Sequence, residues 1–118
     1  MRIGNTIVSH CIIQNSYFQR GFIYYSRRYN IANNQSDLEY IEFYNNTSES
    51  GTFLYIDDQD ETISRADLAI NDCTFKNNRA EKFGGIVYSN ARNGFSTGIN
   101  FIDCKFDNNK ALLGIYYF

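Results

Sequence analysis

The sequence predicts an all-β fold, a single-stranded parallel β-helix (solenoid) of about four coils with about 31 residues in each. Three observations lead to this prediction. One pattern of apolar, amide and glycine positions returns at a nearly constant interval, and apolar residues alternate with polar ones over stretches of three to five residues. No stretch has the 3.6-residue period over about ten residues that is typical of a helix.

The repeat is anchored at four positions that lie 30, 32 and 31 residues apart in turn: Cys11, Ile41, Cys73 and Cys104. Two residues after each anchor comes an apolar residue: Ile13, Phe43, Phe75 and Phe106. Asparagines follow, first at Asn15, Asn45, Asn77 and Asn108, and then at Asn46, Asn78 and Asn109. A glycine comes ten or eleven residues after each anchor: Gly21, Gly51, Gly84 and Gly114. The repeats therefore fall at approximately 5–35, 36–66, 67–97 and 98–118, in one domain that we expect to be a piece of a longer solenoid.

Short strands account for the alternation within each repeat. Leu68 and Ile70 share one face in the third repeat, and Gly84, Ile86 and Tyr88 share another. Residues one repeat apart would then lie above one another at the ~4.8 Å spacing of neighbouring strands. This predicts an inner aromatic column of Phe43, Phe75 and Phe106. It also predicts a second inner aromatic column of Tyr25, Tyr55, Tyr88 and Phe118.

Corners between the strands explain the asparagines and the glycines. Asparagine tolerates the left-handed backbone conformation and can hydrogen-bond its own turn. Stacked asparagines also bond one another through their side-chain amides. The paired asparagines therefore predict a ladder that turns the chain at the same place in every coil. The glycines predict the next corner, where a positive φ or a close approach of two backbones is needed.

These repeats resemble a known family. The F-x-x-N pattern recurs at 43–46, 75–78 and 106–109, each time followed by a glycine strand, and it is similar to the polymorphic outer membrane protein repeat of the pectin-lyase-like superfamily. The first repeat departs from the pattern with Ile13 and Ser16, and the second motif of the family is approximated by the sequence GGIV. The resemblance implies a right-handed parallel β-helix, and a surface or adhesive scaffold at the cell surface or outside the cell.

Composition and charge argue against several classes of protein. A net charge of −2 is unsuited to nucleic acid, because phosphate binding needs a basic surface. No apolar run approaches the roughly 20 residues of a membrane span, and the first residues lack the pattern of a secretory signal peptide. No cysteine or histidine cluster has metal-site spacing, so no cofactor is expected.

The cysteines and the single histidine are assigned structural roles. Cys73 and Cys104 would be vertical neighbours, close enough for a disulfide, whereas Cys11 would stack on Ile41. Buried free thiols that pack as small hydrophobic groups are favoured over a disulfide. A catalytic pair of His10 and Cys11 is disfavoured, because neighbours on a strand point to opposite faces. We expect this histidine to face solvent.

An acidic run is the one candidate metal or catalytic cluster. It contains four carboxylates: Asp57, Asp58, Asp60 and Glu61. Such groups can hold Ca²⁺ or act as the carboxylate pair of a glycosidase. Because the run lies in one loop of one coil and has no counterpart in the flanking loops, a solvated charged turn is favoured.

A candidate interaction surface combines aromatic and basic side chains on the outside of the coils. Tyr24, Tyr44 and Tyr117 fall at outward positions, and Arg27 and Arg28 lie in the loop that follows the first of them. Tyrosines on a flat face suit sugar rings or another protein.

The function expected from these features is that of a non-enzymatic scaffold in a surface protein, a filament or a larger complex. No polar cap is visible, and the sequence closes on the apolar LLGIYYF, so we expect other chains or further copies to stack on the ends. The alternatives are a carbohydrate-active enzyme of the pectin-lyase type and a sugar-binding module. An enzyme predicts carboxylates or basic residues from at least two adjacent coils in one groove.

Overall fold

The computed structural model describes residues 6–26, 34–57, 66–89 and 98–113, and every regular element within these ranges is a β-strand. The strands are β1 (Thr6–Gln14), β2 (Tyr17–Phe18), β3 (Ile23–Ser26), β4 (Asn34–Tyr44), β5 (Thr47–Ser48), β6 (Leu54–Asp57), β7 (Ala66–Asn71), β8 (Thr74–Lys76), β9 (Arg79–Ala80), β10 (Val87–Ser89), β11 (Gly98–Ile102), β12 (Lys105–Asp107) and β13 (Lys110–Ala111). The all-β prediction is confirmed for this part of the chain.

The strands form three sheets in which every pairing is parallel. The first sheet contains β1, β4, β7, β8, β11 and β12, the second contains β3, β6 and β10, and the third contains β2, β5, β9 and β13. Each pairing joins residues 30 to 33 positions apart. Each of the first three repeats therefore contributes to all three sheets, and like positions of successive repeats lie side by side.

The inner aromatic column predicted from the sequence is confirmed. Phe43 pairs with Phe75, which pairs with Phe106, and their ring centroids lie 6.0 Å and 5.1 Å apart. Leu38 and Ile70, each five residues before a phenylalanine of this column, pair in the same way. The buried core is built from these columns and consists of Ile23, Leu38, Ile41, Phe43, Phe53, Leu54, Ile56, Leu68, Ile70, Cys73, Phe75, Ile86 and Val87.

The predicted second column is wrong in its first member and in its orientation. Tyr24, and not Tyr25, pairs with Tyr55, which pairs with Tyr88. The reason is that the chain takes one residue fewer between the glycine and the paired strand in the first repeat than in the next two. These three tyrosines are half-buried on the outer face, while the residue before each is buried. The remaining predicted member, Phe118, lies outside the described residues.

Two left-handed corners shape every repeat of the first sheet. The first is at His10, Tyr40, Asp72 and Asp103, with φ between 52° and 55°. The second is at Asn15, Asn45, Asn77 and Asn108, with φ between 53° and 55°, as the asparagine pattern predicts. Histidine and aspartate are enriched at positive φ, whereas tyrosine is uncommon there, so among these four residues only Tyr40 is unusual for the conformation of the first corner.

The glycine corners are also confirmed. Gly21, Gly51 and Gly84 have φ of 71°, 61° and 64°. A side chain at Gly84 would collide with the backbone of Val87, so this corner needs glycine for its space as well as for its conformation.

The asparagine ladder joins the repeats through buried hydrogen bonds. Oδ1 of Asn78 accepts from the backbone N–H of Asn46 at 3.0 Å, and its Nδ2 donates to the carbonyl of Phe43 at 3.0 Å. Asn109 repeats both contacts one step later, with the N–H of Asn78 at 3.1 Å and the carbonyl of Phe75 at 3.0 Å. Buried backbone groups at the corners thus find partners in the adjacent repeat.

Ser48 is a weak point of the third sheet. Its hydroxyl is buried and has no hydrogen-bond partner among the described residues, and it pairs with Ala80 in the next repeat. A buried hydroxyl without a partner carries a desolvation penalty. We therefore expect Ser48→Ala to raise the free energy of unfolding by about 1 kcal/mol, measured by urea denaturation with Thr47→Ala at the adjacent exposed position as control. A loss of stability would contradict this account of the site.

Candidate functional site

One groove opens on the outer side of the first corner. It has a volume of about 330 Å³ and is lined by His10, Cys11, Ile12, Tyr40, Ile41, Glu42, Asp72 and Thr74. We call it the His10–Tyr40 groove, because these two rings stack at its wall with centroids 4.9 Å apart and planes at 28°. The left-handed corner places both rings at the same point of successive repeats.

The His10–Tyr40 groove brings together ionisable groups from three repeats. His10 comes from the first, Glu42 from the second and Asp72 from the third, and all three are exposed. Within the described ranges, no set of three or more His, Cys, Asp or Glu side chains is placed to hold a metal ion. The groove therefore offers an aromatic face with two carboxylates at its rim, which suits a polar ligand. His10 and Cys11, which were expected on opposite faces of a strand, both line this groove, because the chain turns at His10 with a φ of 55°. The repeat pattern therefore did not predict it.

A column of tyrosines forms a second outer feature. Tyr24, Tyr55 and Tyr88 stack with centroids 5.6 Å and 4.9 Å apart, and we call them the tyrosine column. The hydroxyl of Tyr24 donates to Oδ2 of Asp57 at 2.7 Å. Arg20 donates to the same hydroxyl at 3.3 Å and lies over the rings of Tyr24 and Tyr55.

These contacts and the burial of the column shift the pKa values of two of its groups. The hydrogen bond to Tyr24 raises the pKa of the Arg20 guanidinium, and burial raises the pKa of the Tyr55 hydroxyl. Both groups keep their ordinary protonation at neutral pH. At neutral pH the column therefore presents a protonated Tyr55 beside the hydrogen-bonded hydroxyl of Tyr24 and the charged Arg20. The sequence predicted that Tyr55 and Tyr88 share a column, which is confirmed. It predicted Tyr24 and Asp57 in separate sites, and it did not predict the contacts of Arg20.

The remaining predicted site residues are scattered or lie outside the described part. Tyr44 is half-buried and pairs with Gln14 and Lys76, away from the tyrosine column. Asp57 is the one described member of the acidic run, and it bonds Tyr24. The other predicted residues lie outside the described ranges: Arg27, Arg28, Asp58, Asp60, Glu61 and Tyr117.

All three cysteines are free thiols. Cys11 pairs with Ile41 as predicted. Cys73 is 1% exposed, and its thiol bonds the carbonyls of Asn71 and Leu38 at 3.2 Å and 3.8 Å. Burial raises the pKa of this thiol, so less of it is thiolate at a given pH than in an ordinary cysteine, and it is less accessible than the half-buried Cys11 and Cys104.

We therefore expect iodoacetamide at about pH 8 to alkylate Cys73 last, since the thiolate is the reactive form. Peptide mapping by mass spectrometry over a time course measures the three rates. The control is the same reaction in guanidinium chloride, where the three rates should converge. Alkylation of Cys73 at the rate of Cys11 in the folded protein would contradict the placement of Cys73 in the core.

The first and the last repeat expose apolar side chains, and one of these belongs to a column that the middle repeats bury. Phe43 and Phe75 are 0% exposed, whereas Phe106 in the same column is 42% exposed. Ile7 on β1 is 75% exposed and Leu113, after β13, is 68% exposed. Among the described strands, β1 pairs only with β4, and β12 only with β8. The described structure thus has two edges, of which the one formed by β11, β12 and β13 is called the C-terminal edge below.

A search for relatives finds no family model, curated protein or solved structure that matches this chain. Within the described ranges, no helix is long and apolar enough to cross a membrane.

Proposed function

We propose that the chain is a segment of a right-handed, single-stranded parallel β-helix that acts as a non-enzymatic scaffold and binds other chains through its ends. The winding is supported by the register, since every pairing joins positions 30 to 33 residues apart in three separate sheets. The right hand is supported by the general rule that crossovers between parallel strands of one sheet are right-handed. The resemblance of the F-x-x-N repeat to outer-surface β-helices supports both the winding and the right hand.

One observation carries the functional part of this proposal. The column that is fully buried at Phe43 and Phe75 is 42% exposed at Phe106. Strand edges with exposed apolar side chains are ready to pair with another chain, and proteins that avoid such pairing cover or charge them. A scaffold that is extended or docked at its ends accounts for these edges directly.

The rival reading as a polysaccharide-cleaving enzyme depends on the His10–Tyr40 groove. Glu42 and Asp72 come from adjacent repeats, as such an enzyme requires, but both are exposed. Catalytic sites are usually concave pockets that enclose most of the ligand. Exposed carboxylates beside a histidine and a tyrosine fit contact with a ligand better than proton transfer.

A reducing-end assay on a panel of polysaccharides, acidic and neutral, tests the scaffold against the enzyme. The scaffold predicts that the chain and the double variant Glu42→Gln, Asp72→Asn give the same signal as buffer. Cleavage by the natural chain that the double variant lacks would overturn the proposal.

Sugar binding in the His10–Tyr40 groove is a second candidate, favoured by the stacked aromatic wall beside two carboxylates. Titration calorimetry with oligosaccharides measures it. The matched variant is Tyr40→Asn, because asparagine keeps the left-handed corner while the ring is removed. If the natural chain binds an oligosaccharide and Tyr40→Asn abolishes this binding, the candidate is supported. If Tyr40→Asn leaves the binding unchanged, or if the natural chain does not bind, the candidate is removed.

A further inference from the structure

The asparagine ladder has a direction. In each step, the side-chain amide of an asparagine in the later repeat hydrogen-bonds backbone groups of the earlier repeat. Asn46 accepts from the N–H of Ser16 at 3.1 Å and donates to the carbonyl of Ile13 at 3.0 Å. Asn78 and Asn109 repeat this arrangement toward the second and third repeats. Each of the first three repeats is therefore completed by an asparagine of the repeat that follows it.

The two ends of the ladder differ because of this direction. In the first repeat Ser16 occupies the ladder position, and its hydroxyl donates to the carbonyl of Gln14 in its own repeat at 3.0 Å. In the last repeat, no acceptor for the backbone N–H of Asn109 is present among the described residues. The earlier N–H groups at this position each have an asparagine Oδ1. Within residues 6–26, 34–57, 66–89 and 98–113, nothing thus supplies the C-terminal edge with the amide that completes each earlier step.

The side chains beside the ladder specify more of what would complete the C-terminal edge. Phe106 is 42% exposed and continues the inner aromatic column. On the outer face Asp107 pairs with Lys76 of the preceding repeat, a neighbour of opposite charge. Lys105 pairs with Thr74 of the third repeat, and Thr74 pairs with Glu42 of the second. Like charges on directly neighbouring strands are unfavourable, so an acidic residue is favoured next to Lys105 and a basic residue next to Asp107.

We propose that the C-terminal edge binds a partner segment with the pattern acidic–Phe–basic–Asn–Asn, added as a further parallel strand. The second asparagine accepts from the N–H of Asn109, the phenylalanine covers Phe106, and the charges pair with Lys105 and Asp107. Main-chain pairing at an open sheet edge with side-chain selection is an established mode of peptide recognition. This inference rests on the proposed scaffold function and names the partner by its chemistry.

A second copy of this chain fits the C-terminal edge less well. Stacked in the same direction, its first repeat would bring Ile13 over the aromatic column and Ser16 to the ladder position. The short hydroxyl of Ser16 is already bonded to its own Gln14, so it does not replace the missing amide. Self-association through these two ends is therefore an outcome that counts against the proposal.

The test uses a labelled peptide with the sequence of residues 66–89 in which Thr74 is replaced by Glu, so that it contains the sequence Glu-Phe-Lys-Asn-Asn. Fluorescence anisotropy measures its binding to the whole chain, and hydrogen exchange locates it. We expect saturable binding with slower exchange of the amides of Lys105 to Ala111. The same peptide with Asn78→Ser should bind about tenfold more weakly, as loss of one buried hydrogen-bonded amide implies.

Charge reversal tests the orientation of the partner without touching the core. Lys105→Glu in the protein lies on the exposed face and should weaken binding of the Glu-bearing peptide by about threefold to tenfold. A peptide with Lys in place of that Glu should restore it. Ile7→Lys, at the opposite edge, is the matched control and should leave binding unchanged.

The proposal is overturned if the Asn and Ser peptides bind equally, if neither binds, or if protection falls on β1 to β3. Self-association of the chain by sedimentation velocity, with protection of both edges, would assign the edge to a second copy instead and also overturn it. These outcomes are separate from the scaffold function itself, because cleavage of a polysaccharide would remove that function while leaving the peptide result intact.

Discussion

Replacing Phe75 by alanine is expected to lower the free energy of unfolding by about 3 to 5 kcal/mol, as for other buried aromatic residues. Phe75 is 0% exposed, and its ring contacts the rings of Phe43, Phe53, Phe101 and Phe106, with centroids 4.9 to 6.0 Å away. The ring sits in the middle of the column, so the neighbouring repeats cannot collapse onto the cavity without breaking the strand register.

Guanidinium denaturation followed by circular dichroism measures the effect. Phe106→Ala is the matched control: it removes the same side chain from the same column at a position that is 42% exposed. We expect roughly half the loss there, because less apolar area leaves water on folding. Equal losses at the two positions would contradict the difference in burial between the third and the fourth repeat.

Replacing Asn78 by alanine is expected to lower the free energy of unfolding by roughly 2 to 6 kcal/mol, although the residue is polar. Its amide serves the N–H of Asn46 and the carbonyl of Phe43, and both of those residues are 0% exposed. Alanine leaves two buried backbone groups without partners, each at a cost of about 1 to 3 kcal/mol.

Asn77→Gly is the control for Asn78→Ala. Asn77 is the adjacent residue, is exposed and has a φ of 55°, which glycine adopts without strain. We expect a change of less than about 1 kcal/mol in the same denaturation experiment. If Asn78→Ala were as mild as Asn77→Gly, the ladder would contribute little to holding the repeats together.

The sequence was sufficient for the strands, the inner column and the asparagine corners because each depends on a position that every repeat restates. The tyrosine column was misassigned because the first repeat is one residue shorter after its glycine, and a shift of one residue reverses inside and outside in a strand. The corner at His10 and Tyr40 was missed because tyrosine is uncommon at positive φ and because a single histidine, although enriched there, does not by itself mark a turn.

The candidate site was less predictable than the fold. The His10–Tyr40 groove and the contact of Arg20 with Tyr24 each join residues from different positions in the repeat or from neighbouring repeats. Such contacts depend on which side chains share an outer face, which the repeat pattern does not encode. The direction of the asparagine ladder is likewise not encoded in the sequence. An asparagine at this position could hydrogen-bond the backbone of either the preceding or the following repeat.

The claim on which the account depends is that positions one repeat apart lie side by side in parallel strands. Nuclear Overhauser spectroscopy on the isotope-labelled chain tests it most directly. The account predicts ring contacts from Phe43 to Phe75 and from Phe75 to Phe106, together with a contact between the amide proton of Asn46 and the side-chain amide of Asn78. Contacts confined to antiparallel neighbours close in sequence, with none among the three phenylalanines, would contradict it.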